Sequence, residues 1–169
     1  MGLFDTLNDE VKIGTSRHDD KEGVYWQRID RVELKDARSG SQYIKIHKTT
    51  VRVVNDAEGQ AQDVGEETTQ ALFRDKFNYL ERDLRNICRV GFNMTDTEAD
   101  ELSLADMQGP LIEENRLEGE VIEVSVKILV TKEEKTFPKI KWVRNVPAEE
   151  LQAKLSDGVK AQFFPNGWE

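Results

Sequence analysis

The fold prediction starts from residues 117–146, LEGEVIEVSVKILVTKEEKTFPKIKWVRNV, which have the clearest strand pattern in the sequence. Over residues 122–130 every second side chain is aliphatic, with glutamate, serine and lysine at the positions between. Because successive side chains of a strand point to opposite faces, this alternation predicts a strand with one buried and one solvated face. Residues 131–136 are polar and charged, which is typical of a connecting turn.

The alternation resumes after the turn and predicts a second strand that completes an antiparallel hairpin. One face carries Ile140 and Trp142, and the other carries Phe137, Lys139 and Lys141. Lysines beside an aromatic ring on the solvated face favour a ligand that is a polyanion and also has flat rings for stacking.

The residues before the hairpin predict three more strands and one helix. Strands are expected at 24–35, 42–54 and 66–72, and residues 55–65 form a polar loop. Apolar residues then recur at helical spacing, which predicts a helix over 73–87 with its apolar stripe packed on the sheet. The stripe consists of Phe73, Phe77, Leu80, Leu84 and Ile87.

The two long strands each change their apolar face midway. In the second strand Ile44 and Ile46 share one parity, whereas Val51 and Val53 take the other. Such a change is what a small, strongly curved barrel requires, since one strand must serve both of its sides. The fold class is therefore mainly β with helices (α+β), a five-stranded, partly open barrel with one long capping helix and short terminal helices.

The length of 169 residues favours one domain. We expect an N-terminal arm at 1–23, the domain at 24–158 with an acidic connector at 93–116, and an aromatic tail at 159–169. Pro147 is expected to open a last short helix that Gly158 ends.

The net charge of −9 argues against a nucleic-acid partner, but its distribution argues for one. Residues 24–54 hold seven basic and three acidic side chains, and residues 127–144 hold six and two, so each balance is +4. Residues 93–123 hold one arginine and ten carboxylates, a balance of −9. Binding responds to charges within a screening length of about 8–10 Å, so the predicted strands are locally cationic.

Several classes of function find no support in the sequence. Two histidines and one cysteine cannot form a Cys/His zinc site, and no glycine-rich phosphate loop is present. We therefore predict no enzyme activity, no metal and no cofactor. Cys88 is expected to be a buried, inert thiol. No apolar run approaches the roughly 20 residues of a membrane helix, so we expect no membrane partner and a cytoplasmic location.

Aromatic and basic residues interleave on the predicted strands. Single-stranded nucleic acid is held by rings that stack on bases and by cations that follow the phosphates. The predicted binding residues are Tyr25, Trp26, Arg28, Tyr43, Lys45, His47, Lys132, Lys135, Phe137, Lys139 and Lys141. Trp142 shares parity with Ile140 and is expected in the core.

Residues 24–146 resemble the phage-encoded OB-fold proteins that bind single-stranded DNA in replication and recombination. The resemblance is carried, in order, by GVYWQRIDRVEL, SGSQYIKIHKTTVRVV, RNICRVGF, LEGEVIEVSVKIL and FPKIKWVRNV. It implies an OB-type barrel whose sheet binds DNA with little sequence preference through Tyr43, Lys45, Phe137, Lys139 and Lys141. It also implies replication or recombination proteins as partners, homodimers, and a bacterial host cytoplasm.

One feature departs from this family, whose members commonly end in a strongly acidic tail. Here Phe163, Phe164, Trp168 and Glu169 lie near the last position. Either partners are recruited differently or the sequence is part of a longer one. The alternative function is a protein-interaction module, an adaptor or inhibitor, on the same fold without nucleic-acid binding.

Overall fold

The computed structural model describes residues 17–18, 21–36, 38, 40, 42–56, 63–73 and 79–167. They form one sheet in the order β1-β4-β3-β2-β5-β6. The strands are β1 (Arg17–His18), β2 (Gly23–Asp36), β3 (Gln42–Asp56), β4 (Glu67–Phe73), β5 (Val121–Val130) and β6 (Thr136–Asn145). The two-residue β1 pairs parallel to β4, and the other five strands are antiparallel. The predicted α+β class with five main strands is confirmed.

The helices are all short except the first. They are α1 (Tyr79–Gly91), α2 (Asp96–Asp100), α3 (Leu104–Gln108), a π-helical turn (Gly109–Glu113), α4 (Ala148–Lys154) and α5 (Asp157–Phe163). Helices α2 and α3 each begin with a capping box, in which the N-cap hydroxyl and the N3 carboxylate satisfy each other's backbone N–H groups. The acidic connector is therefore an ordered, capped segment rather than a loose loop.

The predicted hairpin is confirmed in its strands, its turn and its faces. Val124 pairs with Trp142 and Val126 with Ile140 on the inner face, and Trp142 is 1% exposed. Lys127 pairs with Lys139 and Leu129 with Phe137 on the outer face. Because residues opposite each other in an antiparallel pair share a face, the register places all the lysines of the alternation outside.

The predicted slip in the first strand is also confirmed. The β2–β3 register shifts between Val24 and Tyr25, between Trp26 and Gln27, and between Ile29 and Arg31. Such irregularities increase local twist and bend a strand. As a result β2 pairs with β5 only over residues 23–28 and then follows β3 alone.

The sheet does not close into the predicted barrel. Within the described residues no backbone ladder joins β4 to β6, although β6 lies at one edge of the sheet. The curl brings the two strands together through side chains instead, since Trp142 Nε1 donates to Gln70 Oε1 over 3.0 Å. Helix α1 packs against both strands at this gap.

Two cores stabilise the sheet, one on each face. The inner core lies between the curled sheet and the stripe of α1, and it includes Leu80, Leu84 and Ile87 as predicted. The outer core lies under α4 and α5 and was not predicted; it contains Trp26, Val51, Val121, Val146, Leu151, Leu155 and Phe164.

Two local predictions are corrected. Phe73 ends β4 instead of beginning the helix, and the described helix starts at Tyr79. Gly158 lies inside α5, so the tail expected at 159–169 is partly helical. Phe77, Trp168 and residues 1–16 of the N-terminal arm lie outside the described residues.

Candidate nucleic-acid interface

The outer face of the β5–β6 hairpin is an exposed cationic surface around one aromatic ring. Phe137 is 45% exposed, and Lys139 and Lys141 follow it at every second position. Lys139 lies opposite Lys127, and like charges in that position repel each other. This juxtaposition costs folding free energy that an anionic ligand would offset.

The lysines of this face have no carboxylate partners among the residues that the structure describes. In the described part of the chain, none of Lys127, Lys139 and Lys141 has a carboxylate oxygen within 4.0 Å of its ammonium group. Their charge is therefore available to a phosphate.

The hairpin turn also carries two of the predicted residues, Lys132 and Lys135. Glu133 and Glu134 lie between them, so the charges of the four residues sum to zero. The turn is closed by a hydrogen bond from Thr131 N to Lys135 O over 2.8 Å. Both lysines are exposed, but the adjacent glutamates make the turn a weaker attraction for phosphate than the strand face.

The second predicted set, on β3, also lies on the outer face. Tyr43, Lys45 and His47 are half-buried and alternate with buried Ile44 and Ile46, which confirms their predicted parity.

Across the β2–β3 ladder these residues face Lys35, Glu33 and Arg31. Glu33 accepts a 2.5 Å hydrogen bond from His47 and lies 3.4 Å from the Nε of Arg31. This part of the face is cationic overall, with one carboxylate at its centre.

The protonation states within this cluster follow from burial and hydrogen bonding. Burial lowers the pKa of His47 and outweighs the hydrogen bond to Glu33, which raises it. Burial raises the pKa of Glu33, but the hydrogen bond from His47 and the nearby cations lower it by more. The pKa of Glu33 therefore lies below its ordinary value. At neutral pH His47 is thus a neutral donor to a carboxylate, and it adds no positive charge to this face.

Two predicted residues on β2, Tyr25 and Trp26, are buried and not accessible to a ligand. Tyr25 is completely buried in the inner core, and its hydroxyl donates to Lys21 O over 2.7 Å. Trp26 is 3% exposed, donates to Glu123 Oε1 over 3.2 Å, and lies in the outer core under the C-terminal helices. Burial of both rings therefore argues against the prediction that they stack on bases.

Arg28 is held by the C-terminal segment. Its guanidinium donates to Phe163 O over 2.6 Å and to Asp30 Oδ1 over 2.8 Å. It also lies 5.5 Å from the ring centre of Phe163. The carbonyl and the carboxylate use two of its five donors, and Asp30 offsets its charge, so Arg28 attracts a phosphate less than an unpaired arginine would.

Strand β4 lies between the predicted binding residues of β3 and those of β6, beside the gap in the sheet. His47 pairs with Thr69 and Lys45 pairs with Ala71 on the outer face. Thr69 and Ala71 in turn line a cleft of about 560 Å³ together with Phe137 and Lys139 of β6. β4 thus pairs with the β3 residues on one side and faces the β6 residues across the cleft, and we call this region the seam surface. We define it by Tyr43, Lys45, Thr69, Ala71, Phe137 and Lys139.

The small residues of β4 are the part of this surface that sequence reasoning missed. Thr69 and Ala71 carry neither charge nor ring, so no local signal marks them. Thr69 and Ala71 lie in this region because of the register of β4 and because β6 lies close to it.

The remaining chemistry offers no competing site in the part of the chain described. No group of three or more His, Cys, Asp or Glu side chains is placed to hold a metal ion among these residues. Cys88 is buried, as predicted, and burial raises the pKa of its thiol to about 12. None of the described helices combines the length and the apolar character needed to cross a bilayer.

Comparison with known proteins adds no assignment. No model of a known protein family matches this sequence, and no curated protein is significantly similar to it.

Proposed function

We propose that this protein binds single-stranded DNA on the seam surface, largely without sequence preference, as an OB-fold protein of phage replication or recombination. The observation that carries the proposal is the exposed ring of Phe137 beside lysines that have no carboxylate partner in the described part of the chain. Stacking of bases on such a ring contributes about 1–3 kcal/mol per base, and it accepts every base because each has a π-face.

The topology supports an OB fold. Counting the five long strands in chain order, the sheet reads 3-2-1-4-5, and α1 lies between the third and fourth strands. An OB fold is a five-stranded, partly open barrel that binds oligonucleotides on its strand 2–3 face and on the loops between strands 1 and 2 and between strands 4 and 5. In this chain that face is β3 with β4, and the second loop is the β5–β6 turn.

The net charge does not exclude this function. The acidic residues at 93–123 are concentrated on the α2–α3 connector and its flanks, whereas β3 and β6 of the seam surface lie in segments with a positive local balance. Screening limits the reach of exposed charges to about 8–10 Å at moderate salt.

Fluorescence anisotropy with labelled oligo-dT at low salt tests the proposal. We expect saturable binding to oligo-dT and weak binding to a duplex, because stacked base pairs cannot reach the rings. Equal binding of duplex and single strand, or none of either, would refute the proposal.

A protein-interaction module is the second candidate, and the acidic connector favours it. Asp96, Glu98, Asp100 and Glu101 are exposed, and the capping boxes of α2 and α3 fix this segment in place. Such a surface suits a basic protein partner. A failure to bind oligo-dT, together with retention of the folded state, would favour this candidate.

A further inference from the structure

Strand β6 is an edge of the sheet, and the direction of its backbone groups can be assigned residue by residue. Pro138 pairs with Ile128, and Ile140 lies two positions further along β6. The N–H of Ile128 donates to Glu22 Oε2 over 2.9 Å, so it points away from β6. Pairs that exchange hydrogen bonds alternate with pairs that do not in an antiparallel ladder. Pro138 and Ile140 therefore direct their backbone groups away from β5, toward the free edge.

Two further observations agree with this assignment. Proline has no N–H to donate, and within a sheet it is found where that group would face a free edge. At the turn, Thr131 N donates to Lys135 O over 2.8 Å, which gives the odd-numbered residues of β6 the hydrogen bonds to β5. The edge thus presents the carbonyl of Pro138 and both backbone groups of Ile140. Within the described residues, none of these groups has a hydrogen-bond partner.

The cleft of about 560 Å³ opens along this edge. Ile140 lines it together with Leu72 of β4 and Ile87 of α1, and it packs against the inner core. Helix α1 also contributes Asp83 and Asn86 to the lining. A chain that completed the hydrogen bonds of the edge could therefore place an apolar side chain in the cleft, beside Ile140.

The outer face of the same edge is cationic. Lys139 and Lys141 flank Ile140 and are exposed. In the described part of the chain, neither lysine has a carboxylate oxygen within 4.0 Å of its ammonium group. Side chains alternate between faces along a strand, so an added strand with an apolar residue beside Ile140 places its two neighbouring residues beside these lysines. Opposite charges attract in such cross-strand positions, which favours carboxylates there.

We propose that the β6 edge binds an extended acidic segment of a partner protein by strand addition. The segment carries an apolar residue opposite Ile140 and acidic residues opposite Lys139 and Lys141. In this mode of recognition main-chain hydrogen bonds supply affinity, and alternate side chains supply specificity. A second copy of β6 suits the edge less well, because antiparallel pairing about Ile140 would place lysine opposite lysine. The inference goes beyond DNA binding, because unpaired backbone groups and not the ring of Phe137 carry it.

The probe is a labelled peptide in which glutamate and valine alternate, and fluorescence anisotropy at pH 7.5 and low salt measures its binding. We expect saturable binding, and weaker binding of the matched peptide with lysine in place of glutamate. Lys139→Glu should lower this preference about twofold to tenfold. It should fold, since the new carboxylate lies opposite Lys127. The control Lys154→Glu makes the same change in charge at an exposed position of α4 and should alter the preference less.

Hydrogen exchange measured by NMR locates the peptide on the edge. The amide of Ile140 should exchange about threefold to tenfold more slowly at saturation, the range of one hydrogen bond. The amides of Lys139 and Lys141 are the internal control. They already bond to β5 in the alternation described above, so their exchange should change little.

Two results would overturn the inference. The first is equal affinity for the two peptides, or an Ile140 amide whose exchange does not change at saturation. The second is a free protein that sediments as a dimer and protects the Ile140 amide without peptide, which would assign the edge to a second copy. Neither result bears on oligo-dT binding, which is measured separately and tests the proposed function.

Discussion

At the level of single residues, Phe137 and its neighbouring lysines act on different parts of the binding free energy. Stacking releases no counterions, whereas each neutralised phosphate of a single strand contributes about −0.7 to the slope of log K against log salt. Phe137→Ala should therefore weaken oligo-dT binding by about 1–3 kcal/mol at nearly constant slope.

Lys139→Ala should instead lower the magnitude of that slope by a fraction of a unit, and Lys141→Ala should do the same. The charge-matched control is Lys154→Ala, at an exposed position on α4, which should leave the slope unchanged. Titrations at several salt concentrations measure both quantities. Indistinguishable slopes for Lys139→Ala and Lys154→Ala would contradict the assignment of the cationic face.

The lowered pKa of His47 predicts that the stability of the protein depends on pH. Its folded pKa lies below the value of about 6.5 in an unfolded chain, so the unfolded state takes up a proton first as the pH falls. The free energy of unfolding should decrease below about pH 6.5. Glu33, whose pKa is also lowered, should add a further loss only near and below its ordinary value of about 4.5.

Urea unfolding at pH 7.5 and 5.5 measures this effect in the wild type and in His47→Gln. The variant should lose less stability between the two pH values. A loss equal to that of the wild type would show that other groups carry the pH dependence.

At the level of secondary-structure elements, the stripe of α1 anchors the inner core. Leu84 is 5% exposed within that core. Leu84→Ala should reduce the free energy of unfolding by about 2–5 kcal/mol. Arg82→Ala, on the exposed side of the same helix, should cost less than about 0.5 kcal/mol. Chemical denaturation measures both, and similar values for the two variants would contradict the placement of the helix.

The side chain of Gln70 bridges the gap between β4 and β6 by a hydrogen bond. Gln70 Oε1 accepts from Trp142 Nε1 over 3.0 Å and from Lys48 Nζ over 3.3 Å, and both donors belong to buried residues. Gln70→Leu removes the acceptor of the buried Trp142 indole N–H, a donor that costs about 1–3 kcal/mol when left unsatisfied, and one acceptor of Lys48. We expect a clear loss of stability and a change in tryptophan fluorescence, since Trp142 loses its hydrogen bond.

Gln42→Leu is the control for this variant, because it makes the same exchange at an exposed position of the adjoining strand β3. It should change neither stability nor fluorescence appreciably. A Gln70→Leu protein as stable as this control would show that the edges of the sheet are held by other contacts.

At the level of the whole molecule, binding must overcome a net charge of −9. If about three to five cations engage phosphates, the total salt slope for oligo-dT should be roughly −2 to −3.5. Titrations between low and moderate salt measure it. A slope near zero would exclude phosphate contacts as the main source of affinity.

Local patterns were sufficient for the elements and for part of the site. The alternation in the hairpin predicted the buried Trp142 and the exposed Phe137, Lys139 and Lys141. The parity of β3 likewise predicted the outward face of Lys45. These features depend on the period of side chains along a strand, which the sequence alone contains.

Packing between distant segments decided the rest. Trp26 and Arg28 match an aromatic and basic binding pattern, but residues of α4 and α5 more than 120 positions away bury Trp26 and accept a hydrogen bond from Arg28. The open gap between β4 and β6, and the cleft that Asp83 and Asn86 line there, depend on strand curvature and helix placement. The spacing of residue types along the chain does not predict strand curvature or helix placement, because both depend on how the two cores fill space on either side of the sheet.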